Sequence, residues 1–478
     1  MRSFSIHTLG CKLNQVESEA VADAFLREGF ELFTGEGEGP RTGSAGVFII
    51  NTCTVTSRSE QKARRLIRNC LRVPGNVPVI VTGCYARRDP GAIEALGVEE
   101  GGADRLFVIS GSLKDRLLDL PGLLNAGAVS EGRDMVPLVG GWARSLDMSA
   151  KPDVFRFVPR RFSFHSRSFI KIQDGCGMGC TYCAVRAARG PGQSLEKERV
   201  LSVLRALEAA GQGEAVLTGV NISQYQDRGN TDLGGLLAFL LEGTRRIALR
   251  LSSLAPDSID ERLAEILTHP RIRPHFHLSI QSGSAEVLGR MGRPYGPGTV
   301  QKGLELLRTA KDDPFMACDI ITGFPGEDRG EFEKTADFCR AADFAWIHAF
   351  PYSPRPGTAA FSWKGRAGER ERGERAAILT EMAVKGRAAY AGRWTGREVE
   401  ACIEGAGEKG QPESEKKSCC AAGLSDNYLK VLIRFPKGAA PSPGRALRCR
   451  LGPLPGDVPP GKGGFDVLAE YCGQVCYI

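Results

Sequence analysis

Apolar residues fall along this chain in short runs that alternate with stretches of helical periodicity. In the first third, runs at 4–9, 47–50, 77–81 and 106–109 read as strands. Between them, 16–28, 59–72 and 89–96 repeat apolar positions every three or four residues and read as helices. Such alternation predicts a doubly wound parallel sheet. A second alternation starts at Ser168. Strands are expected at 169–173, 215–218, 247–252, 275–280, 316–322 and 346–350, and helices at 194–210, 232–241, 257–267, 300–310 and 331–342. Six strand–helix repeats fall short of a full eight-fold barrel, so an open (β/α)6 barrel is expected. The segment 366–393 is charged and helical. Short runs at 398–403, 428–434 and 446–451, with a loop across 405–417, fit a small β-barrel. The fold class is therefore α/β. A sheet domain is expected at 1–121, a linker with some helix at 122–160, a barrel core at 161–393 and a C-terminal β-barrel at 394–478.

A chain of 478 residues has room for several domains and buries its cores without staples. No apolar run approaches the ~18–20 residues that cross a bilayer. The first ten residues lack the apolar stretch of a secretory leader, so a cytoplasmic location is expected, with no membrane partner. Disulfides are rare in that compartment, and the fifteen cysteines then point to metal or redox chemistry. The net charge of +7, from 63 Lys and Arg against 56 Asp and Glu, permits an anionic partner but is mild for a nucleic-acid binder. Arg58, Lys62, Arg64, Arg65, Arg68 and Arg72 share one expected helix. They form either a phosphate-binding face or a solvated one. The six histidines show neither an HxxH nor an HExxH pattern, so no histidine-centred catalysis is expected.

The sharpest chemical signal is Cys176-Gly-Met-Gly-Cys180-Thr-Tyr-Cys183. Three thiolates at this spacing can wrap one corner of a cubic iron–sulfur cluster and leave one iron without a protein ligand. Zinc usually takes four ligands and fits less well. The trio follows the first expected barrel strand, at the face where barrels carry their chemistry. Cys11, Cys53 and Cys84 are scattered in sequence, yet each follows an expected strand. A parallel sheet would bring all three to one C-terminal edge, where open α/β sheets bind ligands. Gly10 and Gly83 would allow sharp exits from two of those strands. The set implies a second cluster with a free iron, and the bland alternative is three buried structural thiols. Cys70, Cys318, Cys339, Cys402 and Cys449 read as small core residues. Cys419 with Cys420, and Cys472 with Cys476, do not complete a metal site.

With its CxxxCxxC the chain resembles the radical S-adenosylmethionine superfamily. With its two trios it resembles the methylthiotransferases. The likeness is carried by Thr8-Leu-Gly-Cys-Lys-Leu-Asn14, Asn51-Thr-Cys-Thr-Val55, Thr82-Gly-Cys-Tyr85 and Leu249-Arg-Leu-Ser-Ser253. It continues in His277-Leu-Ser-Ile-Gln-Ser-Gly-Ser284, Asp319-Ile-Ile-Thr-Gly-Phe-Pro-Gly-Glu327 and Phe350-Pro-Tyr-Ser-Pro-Arg-Pro-Gly357. The resemblance implies two [4Fe-4S] clusters. One, on Cys176, Cys180 and Cys183, works with S-adenosyl-L-methionine to make a 5′-deoxyadenosyl radical. The other, on Cys11, Cys53 and Cys84, is the site of sulfur methylation and donation. The resemblance also implies S-adenosylmethionine contacts from Gln281, Arg293 and Asp319, for which barrel packing is the alternative. The Gly323–Glu327 turn would face adenine or simply turn the chain, and Pro351, Pro354 and Pro356 would stiffen their loop.

The C-terminal module resembles the RNA-binding TRAM domain, and Tyr428 or Lys430 would meet RNA there. The first cysteine loop sides with the branch that methylthiolates C2 of N6-threonylcarbamoyladenosine-37 in tRNA. The runner-up substrate is N6-isopentenyladenosine-37. A rival of another class is a non-catalytic iron–sulfur protein that binds RNA and senses redox state. The implied partners are the anticodon stem-loop of tRNA, an electron donor such as flavodoxin or ferredoxin, and a sulfur source. After Cys183 the chain reads Ala184-Val-Arg-Ala-Ala-Arg189-Gly190 and lacks the proline and tyrosine usual in that branch. Contacts made there are expected to differ.

Overall fold

A computed structural model describes residues 2–33, 46–127, 134–147, 149, 151–406, 419–436, 443–453 and 465–474. The first layer is built from β1 (Ser3–Thr8), α1 (Lys12–Arg27), β2 (Glu31–Leu32), β3 (Val47–Thr52) and α2 (Ser57–Leu71). β4 (Val79–Gly83), α3 (Cys84–Arg88), α4 (Pro90–Glu99) and β5 (Leu106–Val108) follow. The strands order as β2-β1-β3-β4-β5, and every pairing is parallel. β3 and β4 are buried at every position, as central parallel strands covered on both faces must be.

The stretch expected as a linker is no free tether. It contains α5 (Leu120–Gly127) and α6 (Met135–Ser145). Leu124, Val139, Trp142 and Phe157 join the core of Phe4, Phe25 and Ile49 under the first sheet. Its glycines and prolines had masked an apolar face.

The central body runs through β6 (Ser168–Lys171), β7 (Gln173–Asp174), α7 (Val185–Arg189), β8 (Gln193–Ser194), α8 (Lys197–Ala209) and β9 (Glu214–Thr218). It continues with α9 (Leu233–Gly243), β10 (Ala248–Leu251), α10 (Glu261–Leu267), β11 (His275–Gln281), α11 (Ala285–Arg290) and α12 (Pro297–Ala310). β12 (Phe315–Thr322), α13 (Arg329–Ala341) and β13 (Trp346–Pro351) complete it. Two parallel sheets, β6-β9-β10 and β11-β12-β13, are joined by single bridges at Leu249–Ile272 and Leu254–Leu278. Six barrel strands thus follow chain order. Among the described residues no ladder pairs β6 with β13, so the barrel is open. The helix starts are well capped: Asp232, Asp260, Ser284 and Asp328 each accept from an amide of the first turn. No helix among the described residues is long and apolar enough to cross a membrane.

The long α14 (Glu369–Trp394) leads to β14 (Glu398–Ala406), β15 (Cys419–Ser425), β16 (Lys430–Phe435), β17 (Ala446–Leu451) and β18 (Val467–Gln474). These close a barrel in the order β14-β15-β16-β18-β17, like a TRAM domain. Most of the expected loop at 405–417 lies outside the described residues. The small barrel shares its core with Phe315 and Tyr390 of the central body. Fully buried Arg250 forks onto Glu214 at 2.7 and 2.8 Å and donates to the carbonyls of Ser425 and Asp426, which ties the two barrels together.

Candidate active site

Cys11 caps α1 straight after β1, Cys53 follows β3, and Cys84 opens α3 after β4. The parallel topology therefore delivers all three to one sheet edge. Gly10 has φ +108°, and a Cβ there would sit 2.6 Å from Cβ and 2.8 Å from Sγ of Cys53. A side chain would keep the Cys11 loop from closing on Cys53. Cys11 is exposed, Cys84 half-buried and Cys53 buried. Burial pushes the Cys53 thiol up to about 11, with Cys84 and Cys11 adding to it. A bound metal is what would draw that proton off. Burial likewise raises Cys180 and Cys183 in the second trio.

The thiol spacing speaks to what each trio can hold. A tetrahedral zinc with bonds of ~2.3 Å needs its thiolates within about 4 Å of one another. Among the described residues only Glu196, Glu198 and Asp227 bring three ligand atoms within 4.8 Å. Neither cysteine trio converges on a single ion, and a wide three-thiol corner suits a bulky cluster.

Between the trios lies a cavity of about 510 Å³. Cys11, Cys53 and Cys84 line one end, Tyr182 and Cys183 line another wall, and the barrel interior forms the rest. Val185 and Ala188, from the segment that departs from the expected proline and tyrosine, add small apolar side chains to it.

Two buried ionic clamps hold the sheet against the barrel. In the first, Glu17 of α1 receives Lys114 at 2.6 Å, Lys171 at 2.8 Å and Arg189 at 3.0 Å. Arg189 also reaches Asp174 at 3.0 Å and donates to Asn14 at 2.7 Å, and Lys171 meets Asp174 at 2.6 Å. Burial opposes ionisation of Glu17, but the three cations hold its carboxyl well below the usual range. In the second clamp, Arg355 from the proline-rich loop after β13 pairs with Glu60. It also donates to Ser57 at 3.1 Å and Thr54 at 3.2 Å, beside the Cys53 loop.

The three residues expected at S-adenosylmethionine occupy different places. Arg293 donates to the Tyr182 hydroxyl at 2.6 Å, within the cysteine loop, and its Nε is buried without a partner. Asp319 lines the cavity with Oδ1 3.2 Å from Nε2 of His277. Gln281 is buried at the end of β11 with φ +75°, a backbone a non-glycine residue seldom adopts. The Gly323–Glu327 turn packs against the side chains of Arg372 and Arg290.

Residues 170–339 match the model of the Radical SAM superfamily, and residues 3–101 match that of Uncharacterized protein family UPF0004. The threonylcarbamoyladenosine tRNA methylthiotransferase MtaB of Treponema pallidum is 39% identical, over 94% of this chain and 98% of that protein. The chain belongs to the threonylcarbamoyladenosine tRNA methylthiotransferase family. The MtaB protein of Thermotoga maritima is 32% identical, over 84% of this chain and 87% of that protein. Among solved structures, the radical S-adenosylmethionine methyltransferase TsrM of Kitasatospora setae is similar with a TM-score of 0.48 at 17% identity, over 75% of this chain and 77% of that one.

In this methylthiotransferase Tyr428 lines the cavity and not the outer face of the small barrel. Its φ of +68° turns the ring into the central barrel, where it stacks on His275 at 3.8 Å and lies 5.2 Å from Arg250. Lys430 remains exposed. On the basic helix Arg68 and Arg72 are spent on Glu99 and Glu100, whereas Arg58 and Lys62 stay exposed. Cys70, Cys318, Cys339, Cys402 and Cys449 are buried core thiols. Cys476 and the side chain of Cys419 lie outside the described residues.

Sequence reasoning passed over His277, His348 and Lys12, all on the cavity wall of this methylthiotransferase. His348 is exposed on that wall. Burial draws the Lys12 ammonium below the usual lysine range. The available signal for Lys12 was its place directly after Cys11.

Proposed function

We propose that this enzyme replaces the C2 hydrogen of N6-threonylcarbamoyladenosine-37 in tRNA by a methylthio group, in the cytoplasm. One observation carries the reading: a single cavity is bounded by Cys11, Cys53 and Cys84 from the sheet and by Cys183 from the barrel. Cys176, Cys180 and Cys183 would hold one [4Fe-4S] cluster with S-adenosyl-L-methionine on its open iron, and Cys11, Cys53 and Cys84 a second. When bound, these groups supply the radical that takes the hydrogen and the methylated sulfur that replaces it.

The chain's own residues bind, orient and exclude water. Arg293, beside Cys180 and Tyr182, presents a guanidinium suited to the methionine carboxylate. Asp319 can accept from ribose hydroxyls, and Gln281 can hold the same ligand from the strand end. Phe315, Trp346 and Tyr428 close the lower cavity against solvent. Exposed Arg58 and Lys62, on the helix after the Cys53 loop, are placed for phosphates of the anticodon stem-loop. A flavodoxin- or ferredoxin-type donor would supply electrons, and a separate source would supply sulfur.

The test is nucleoside mass spectrometry of tRNA after anaerobic reaction with reconstituted enzyme. Methylthio is expected on threonylcarbamoyladenosine and not on isopentenyladenosine. Methylthio on isopentenyladenosine alone would overturn the substrate. Cys180→Ala is expected to abolish both 5′-deoxyadenosine and the modified nucleoside, and wild-type amounts of either would remove the cluster assignment.

A further inference from the structure

The cavity contains a cation with nothing to pair with. Lys12 is the first residue of α1, one position after Cys11. Its half-buried side chain lines the cavity together with His275 and Tyr428. No hydrogen bond or ion pair engages its ammonium among the described residues. The carboxylate that acts on it, Glu214, is saturated by Arg250 at 2.7 and 2.8 Å and by Arg273 at 3.1 Å. The one carboxylate on the cavity wall, Asp319, faces His277.

Phe315 and Trp346 stand on the same cavity wall as that ammonium. A lone cation among apolar walls describes a pocket for an anionic ligand with an apolar body.

We propose that Lys12 determines substrate specificity by receiving the carboxylate of the threonylcarbamoyl group. The inference rests on the substrate reading above. The threonyl substituent ends in a carboxylate, which matches the ammonium. An isopentenyl substituent has no acceptor and would leave the ammonium desolvated and unpaired. One residue would thus select for the first group and against the second. Because Lys12 adjoins Cys11, a substituent held by it keeps the base between the two trios.

The experiment compares two anticodon stem-loop RNAs, one with threonylcarbamoyladenosine and one with its carboxylate replaced by a carboxamide. Wild-type enzyme is expected to lose roughly 10- to 100-fold in kcat/KM on the carboxamide, the range for a hydrogen bond to a charged group. Lys12→Met is expected to treat the two RNAs alike, and Lys12→Arg to keep most of the discrimination. Iron content and 5′-deoxyadenosine formation are followed in parallel, so that damage at Cys11 is seen separately. Equal rates of wild type on both RNAs would overturn the proposal without any variant. Undiminished discrimination by Lys12→Met would overturn it as well. Wild type inactive on threonylcarbamoyladenosine but active on another acceptor would instead overturn the substrate reading.

Discussion

Glu17 is where three cations from three elements meet: Lys114, Lys171 and Arg189. Removing its charge would leave Lys171 and Arg189 with Asp174 and strip Lys114 of its carboxylate. Breaking a buried pair from one side costs about 3–5 kcal/mol, because the orphaned charges cannot reach water. Glu17→Gln is therefore expected to lower unfolding stability by that order, measured by urea denaturation. A loss below about 1 kcal/mol would mark the network as no more than a surface bridge. Arg189 was visible in the sequence as the arginine retained after Cys183, but its partners were not. Glu17 and Lys171 look like charges on amphipathic elements, and such charges normally face water. The partners of Glu17 are 97 to 172 residues away, and no local pattern encodes a pairing at that distance. The cysteine edge was legible for the opposite reason. Parallel topology alone carries Cys11, Cys53 and Cys84 to one place, whatever the side chains between them do.

At the scale of elements, β3 and β4 position Cys53 and Cys84, and Gly83 sets how closely their ends approach. Its φ is +101°, and a Cβ there would run into the Thr52 backbone and lie 2.8 Å from Oδ1 of Asn51. Gly83→Ala must then strain the backbone, at about 1–3 kcal/mol, or part the strand ends. Either response shifts the sheet trio and leaves the barrel trio in place. The variant is expected to lose sheet-bound iron and methylthio product while still forming 5′-deoxyadenosine. Full iron content together with normal product would refute that role for the turn. Gly83 was readable because it stands between an apolar run and a cysteine. β15 and β18 were not, since Cys419–Ser425 and Val467–Gln474 lack the alternation that marks a half-buried strand. α5 and α6 lie in the stretch expected to hold some helix, but its glycine and proline content hid the apolar face that packs into the core.

The whole molecule is three bodies closed around one cavity, and this gives it a characteristic response to acid. The Glu17 and Arg355 clamps fix the sheet to the barrel, while Arg250 and the Tyr428–His275 stack fix the small barrel below. His275 is buried in that stack, where burial first and the Arg250 and Lys12 charges second hold it well below the ordinary histidine value. The unfolded chain takes up this proton near pH 6.5 and the folded one refuses it. Stability should therefore be fully present above about 6.5 and decline as pH falls. Glu214 adds a second, lower window. Burial works against its charge, yet Arg250 and Arg273 bring it to about 2, so its contribution begins to fade only below the ordinary glutamate value of 4.5. Urea midpoints measured anaerobically between about pH 7.5 and 5 should fall with acid, and His275→Gln should flatten part of the fall. Reading the difference between variant and wild type separates the histidine from any acid lability of bound iron. A variant slope equal to that of wild type would mean that His275 takes its proton in the folded protein as readily as in the unfolded chain, and that water reaches the ring this structure buries under Tyr428.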